Sequence, residues 1–258
     1  MKTFAAINVG SYEQTLKIYT ITKNNGIREV DWIRNRLDLG GTFATGKLSH
    51  EVMDELCAVL RNFVSIMEGY RVDDYRACAT SAIRETKNTA IVLDQIMQRT
   101  GVKLDVLSNS EQRFLDYKSI ASRGSFEKII EKGTLVLDIG GGSIQMSLFD
   151  KDKLSATQNM RLGVLRLQEK MSRLNVRPSE NGPLLEELLE AQLSVFRKMY
   201  LKDRVIENII VVDDYISALI LGKLGKVAGS GYLDRDSMAS YMNYLHDHTD
   251  MEIVRYFD

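Results

Sequence analysis

At 258 residues the chain is long enough to bury a large core and to form two domains. Its 44% apolar and 27% charged residues are ordinary for a globular protein, and a net charge of −1 argues against general attraction to nucleic acid or membranes, so any anion site must be local. Cys57 and Cys78 are too few for a disulfide framework and read as core thiols; with no signal peptide and no membrane-spanning apolar run to be read, the cytoplasm is the expected location.

Residues 4–9 and 16–21 read as strands around a turn that holds Gly10 and Ser11. Asn24-Asn25-Gly26 signals a tight turn, and residues 27–34 a third strand. Residues 36–48, RLDLGGTFATGKL, form a glycine-bearing loop. Ser49 is placed to N-cap the next helix, where Val52, Met53, Leu56, Val59, Leu60, Phe63, Val64 and Met67 recur at helical spacing. A strand at 75–79 delivers Thr80, Ser81 and Arg84. A helix over 89–99, a strand over 103–107 and a helix over 112–122 follow, the last preceded by Ser108-Asn109-Ser110-Glu111. A junction near 123–132 divides the chain into domains 1–123 and 124–258.

Residues 134–150, TLVLDIGGGSIQMSLFD, organise everything else. Leu135-Val136-Leu137 is an apolar run of buried-strand type; Asp138, Gly140, Gly141, Gly142 and Ser143 come next, and then an alternation of period two. Strand, glycine turn, strand differs from dinucleotide and Walker loops, in which the glycines open a helix. Without Cβ atoms, successive backbone N–H groups can crowd around an anion, and Asp138 can hold a cation or orient a water. A plain tight hairpin is the structural alternative. The first hairpin echoes this one: Asn8 corresponds to Asp138, Gly10 to the glycine group and Ser11 to Ser143. The echo predicts a duplicated α/β unit whose two turns face each other across a cleft. Beyond it lie a strand at 154–158, a helix at 165–172, a long helix opened by Pro183 and ending near 200, a strand at 206–212, and helices at 214–224, 237–245 and 251–257.

Open α/β sheets bind ligands at the carboxyl ends of their strands. Thr80, Ser81 and Arg84 at such an end suit a phosphate oxyanion, two hydroxyls followed by a planar cation; a helix cap and a surface arginine are the plainer reading. Glu111, at a helix start, either complements the helix dipole or, if it faces the cleft, serves as a general base.

The stretches INVGS, RLDLGGTFATGKLS, ATSAIRETKN, VLSNSEQ, DIGGGSIQ and LGVLRLQEK cover most of residues 4–170. In that order they resemble the exopolyphosphatase and guanosine pentaphosphate phosphohydrolase (Ppx/GppA) family of the actin/hexokinase/Hsp70 superfamily. The resemblance implies an α/β fold of two actin-like, ribonuclease H-like domains with a phosphate-binding cleft between them. It implies Mg²⁺-assisted removal of the terminal phosphate of polyphosphate, or of the 5′-phosphate of guanosine pentaphosphate, and it allows a homodimer. Gly10, Ser11, Ser81, Gly140, Gly141, Gly142 and Ser143 would then bind phosphate with Arg84, Asp138 would bind Mg²⁺ with Gln145 as a weak second ligand, and Glu111 would take a proton from the attacking water. The chain departs from the family pattern in having Asn8 and Gln145 for carboxylates, Tyr12 for Asn, Asn109 for Gly, Gln112 for the second Glu, and Asp213-Asp214-Tyr215 for a glycine/threonine loop. An amide keeps the oxygen and loses the charge, which weakens Mg²⁺ binding. The alternatives are therefore an active hydrolase, a degenerate member that binds polyphosphate or nucleotide without turnover, and a kinase of the same superfamily.

Overall fold

The structure, a computed structural model, describes residues 1–23, 26–122, 124, 126–175, 177–202, 204–212, 234–249 and 251–253. The chain divides into two compact units, Met1–Ile210 and Val211–Asp258.

The first unit contains two sheets. Sheet one is built from β1 (Lys2–Val9), β2 (Glu13–Thr22), β3 (Gly26–Arg36), β4 (Asp74–Ala79) and β5 (Leu104–Val106), in the order β3-β2-β1-β4-β5. The first three strands form an antiparallel meander, and β4 and β5 continue from β1 in parallel. Period-two alternation sends Ala5, Ile7 and Val9 of β1 and Leu16 and Ile18 of β2 inward. They meet α2 (His50–Gly69), which buries Met53, Leu56, Cys57, Leu60, Phe63 and Met67 along one stripe. Leu56, Leu60 and Phe63 are fully buried, each contributing about 1.5–3 kcal/mol by leaving water. Ser49 caps this helix as expected, accepting from the Val52 N–H at 3.3 Å. Short helices α1 (Gly41–Thr45) and α3 (Ser81–Arg84) and the longer α4 (Thr89–Thr100) complete this layer.

Sheet two repeats the plan. Strands β6 (Thr134–Ile139), β7 (Ile144–Asp150) and β8 (Lys153–Met160) form a second antiparallel meander, and β9 (Asn208–Val212) lies beside β6, giving the order β8-β7-β6-β9. In both sheets the fourth strand therefore returns to the first, as a duplicated unit requires. Two helices precede β6, α5 (Asn109–Ala121) and α6 (Phe126–Ile130). Although α5 follows β5 of sheet one, its Tyr117 hydroxyl donates to Ser147 Oγ of β7 at 2.6 Å, and its ring meets Phe149 edge-on at 5.1 Å. α7 (Val164–Arg173) and α8 (Pro178–Phe196) follow β8, the latter running into a π-helical turn, Arg197–Leu201. The long helix starts earlier than expected. Pro178 occupies its first turn, where a missing N–H costs nothing, and Pro183 lies inside it.

In the second unit, α9 (Arg235–Asp247) is N-capped by Asp234, which accepts from the Ser237 N–H at 2.8 Å. The expected helix at 214–224, Asp213-Asp214-Tyr215 and residues 254–257 lie outside the described residues.

Candidate functional site

Each meander turns through four residues between its first two strands. Val9 pairs with Gln14 and Ile139 with Ile144, so residues 10–13 and 140–143 occupy equivalent positions. The same hydrogen bond closes both turns: the Gly10 N–H donates to Glu13 O at 2.9 Å, and the Gly140 N–H to Ser143 O at 3.0 Å. This register corrects one expected correspondence. Gly10 does match Gly140, but Ser11 matches Gly141, and the structural counterpart of Ser143 is Glu13.

The two turns touch. A Cβ at Gly141 would stand 2.9 Å from Ser11 Cβ; one at Gly142 would overlap Ser81 Oγ and lie 2.6 Å from the Phe43 ring. The Ser11 and Ser81 hydroxyls share a buried hydrogen bond of 3.0 Å, and Ser143 is buried beside its own turn. Ser11, Ser81 and the glycine turn thus converge, and absence of side chains at 141 and 142 is what permits the approach.

The start of α7 holds the glycine turn from behind. The Val164 N–H donates to Gly140 O at 3.1 Å and the Arg166 N–H to Gly141 O at 3.2 Å. Arg166 Nε takes Gly142 O at 2.8 Å, while its Nη2 contacts Glu85 Oε2 at 2.6 Å and its guanidinium lies over Phe43 at 4.3 Å. Gly163 packs directly on the turn, leaving no room for a Cβ against Ser143 N and the Gly141 carbonyl. The carbonyls of all three glycines are thereby engaged, and the N–H groups of Gly141, Gly142 and Ser143 take part in none of these bonds. Beside the turn, Phe43, Glu85, Lys87, Arg161 and Arg166 line a pocket of roughly 250 Å³, with three cations against one carboxylate.

Arg84 is half-buried rather than a surface group. Its Nη1 donates to Leu107 O at 2.6 Å; burial lowers its pKa, and the charges of Glu85 and Asp138 act in the opposite direction. Thr80 makes no side-chain cap bond to α3. The plainer reading of this strand end, a cap and a surface arginine, is therefore not what the structure holds.

Asp138, at the end of β6, sits among partners from three elements. Its Oδ2 accepts from Gln112 Nε2 of α5 at 2.9 Å and from Gln145 Nε2 of β7 at 3.1 Å. The Asp116 carboxyl, one helical turn beyond Gln112, is close enough to feel the Asp138 charge. Burial, then the Asp138 charge, push Asp116 up to about 7. Asn8, the counterpart of Asp138 on β1, is exposed.

Glu111 does not join this group. Its Oε2 accepts from the Ser108 N–H at 2.8 Å while Ser108 Oγ accepts from the Glu111 N–H at 3.2 Å, a reciprocal capping box at the start of α5. The carboxylate is exposed, and the Ser108 bonds hold it below the ordinary glutamate pKa. Its neighbour Gln112 faces Asp138 instead. Of the two readings of Glu111, the capping one is what its hydrogen bonds serve, and helix phase separates it from Gln112, since adjacent residues differ by about 100° around the axis. The Ser-x-x-Glu spacing was itself a capping signature. Asp116 was not anticipated, although its place four residues after Gln112 puts both on one helix face.

The family model of the Ppx/GppA phosphatase family matches residues 23–216. Among curated proteins, exopolyphosphatase 1 of Mycobacterium leprae is 28% identical over 155 residues, 59% of this chain and 44% of that protein. The guanosine-5'-triphosphate,3'-diphosphate pyrophosphatase of Photobacterium profundum is 25% identical over 182 residues, 69% of this chain and 35% of that protein. The chain spans less than half the length of these curated relatives. Among solved structures, the Aquifex aeolicus member of the Ppx/GppA protein family superposes with a TM-score of 0.72 at 21% identity, over 99% of this chain and 82% of that one. The two-sheet α/β architecture is accordingly this family's fold.

Proposed function

Taking as premise that the chain belongs to the Ppx/GppA phosphatase family, we propose that the meeting of its two hairpin turns binds the terminal phosphates of a phosphoanhydride and that the chain hydrolyses the last bond. The observation that carries this reading is the convergence of Ser11, Ser81 and the Gly140–Gly142 turn next to Arg84 and Asp138. Inorganic polyphosphate and guanosine pentaphosphate are the substrates in view, since the relatives named above act at such bonds. Lys87, Arg161 and Arg166 supply the local positive charge that a net charge of −1 does not provide, and suit the next phosphates of a polyanion.

In this reading the Ser11 and Ser81 hydroxyls and the backbone N–H groups of the glycine turn bind phosphate oxygens, and Arg84 neutralises charge that develops on the transferred group. Asp138 would hold Mg²⁺, with the Gln145 amide oxygen as a weaker donor; both offer the hard oxygen ligands this ion prefers. Bound Mg²⁺ would supply further charge neutralisation at the phosphate oxygens. Phosphoryl transfer passes through a loose transition state, so positioning and charge stabilisation carry most of the catalysis. With Glu111 engaged as a helix cap, the reading loses its first-assigned proton acceptor and keeps its binding chemistry.

A second reading, binding without turnover, is favoured by the Gln112 and Gln145 amides that occupy Asp138. Phosphate release from both substrates, with and without Mg²⁺, alongside calorimetric binding of each, separates the two. Mg²⁺-dependent release supports hydrolysis, and binding without release supports the second reading. Failure to bind either substrate removes both.

A further inference from the structure

A carboxylate in an anion pocket repels the ligand that the neighbouring cations attract. The pocket beside the glycine turn nonetheless sets Glu85 among Lys87, Arg161 and Arg166. Glu85 Oε2 accepts from two of them, Arg166 Nη2 at 2.6 Å and Arg161 Nη2. The two guanidiniums are not held alike. The Arg166 side chain is 18% exposed and is also tied to Gly142 O and to the Phe43 ring. The Arg161 side chain is 68% exposed, and its bond to Glu85 draws it to the pocket. Glu85 thus occupies these cations as an anionic ligand would. An arriving phosphate must displace the carboxylate from a guanidinium or bind against its charge, and a free phosphate ion meets that cost from solution. A chain fixed by its end at Ser11, Ser81 and the glycine turn meets it differently. The turn and the pocket adjoin through Arg166, so the next phosphate groups reach the pocket at a roughly millimolar effective concentration.

We propose that Glu85 is a resident competitor: it closes the pocket to free phosphate and yields it to the following phosphate groups of a chain anchored at the two turns. Specificity often depends on such a repulsive element, set against the wrong ligand as well as for the right one. Here the wrong ligand is orthophosphate, the product of the proposed reaction. The inference rests on the phosphohydrolase reading of the two turns, and adds to it a residue that sets the length of the anion the site accepts.

The test is calorimetric binding of tripolyphosphate to the full chain and to Glu85→Gln, whose amide keeps the shape without the charge. A competitor and a mere clasp predict opposite signs. If Glu85 competes, the variant binds tripolyphosphate roughly tenfold more tightly. If Glu85 only holds the two arginines in place, the variant releases them; affinity that falls or stays the same in the folded variant overturns the proposal. Because the variant can fail to fold, the Arg161 and Arg166 guanidinium signals of the unaltered protein are also followed by NMR. Tripolyphosphate is expected to shift both, and orthophosphate at the same concentration to shift neither. Equal shifts with the two anions, or none with saturating tripolyphosphate, overturn it. Phosphate release from polyphosphate, measured separately, keeps the two ideas apart. Release by the parent, with affinity no tighter in Glu85→Gln, rejects the competitor and spares the hydrolase. Tighter binding in Glu85→Gln, without release by the parent, does the reverse.

Discussion

The first and second hairpin turns share a four-residue frame and one closing hydrogen bond, yet they are held in place by different means. The first is secured from its own sheet and the loop after it: buried Gln14 donates to Gly10 O at 3.3 Å and to Leu37 O at 3.1 Å, the Leu39 N–H donates to Ser11 O at 2.8 Å, and Glu13 pairs with Arg34 of β3. The second is secured by α7 and pressed against Ser11, Ser81 and Phe43. A repeated backbone device thus carries serine in one copy and bare glycine in the other, because only one of two surfaces in contact can bear side chains. The triple glycine serves close approach of the two turns.

The largest expected effect comes from breaking the second turn's support. Gly163→Ala sets a Cβ against the backbone of Gly141 and Ser143, atoms with no rotamer to yield, and should destabilise the protein by roughly 3 kcal/mol in urea unfolding. A midpoint equal to that of the parent would show that α7 does not bear on the turn as described. Next is Arg84→Ala, which should weaken polyphosphate binding by about 1.5–3 kcal/mol, the range for hydrogen bonds to charged groups. Unchanged calorimetric affinity would leave Arg84 only its bond to Leu107 O.

Gly142→Ala sharpens the comparison, since its Cβ meets side chains of the opposing surface that have some freedom to move. A loss of about 1–2 kcal/mol is expected, with weaker phosphate binding as Ser81 is displaced. Retained affinity at reduced stability would separate packing from binding. The smallest effect is expected for Glu111→Gln. A general base would cost on the order of 10²–10⁴-fold in turnover; a helix cap costs none, and steady-state rates should match the parent. The cap's pKa is depressed on folding, so its contribution is present above the ordinary glutamate pKa and fades as acid protonates it. The variant should lose that acid-side slope and little else.

The hairpins were legible because period-two alternation and glycines act locally: DIGGGS declares its turn without help from the rest of the fold. So were the α2 stripe and the Ser49 cap. The helices at 41–45 and 126–130 were not, since five residues hold too little periodicity to separate a helical turn from a loop. Pro183 misled because either proline of the pair suits a first turn, and only the course of the chain decides between them. The meeting of the two turns was legible in its backbone, and the helix phase that sets Gln112 rather than Glu111 against Asp138 was not. Asp116 belongs to the same class: its surroundings depend on what β6 and β7 bring against α5.

Arg166 has a consequence for kinetics. Its guanidinium simultaneously binds the glycine turn, pairs with Glu85 and covers Phe43, and Arg161 pairs with the same carboxylate. Any motion that parts the two turns to admit a ligand or free a product must break the Glu85 pairing and lift the ring contact together. Because that latch includes the pair of exposed Arg161 with Glu85, added salt lowers the barrier to opening. An enzyme so built would show its ionic-strength dependence in product departure before it showed any in the bond-breaking step.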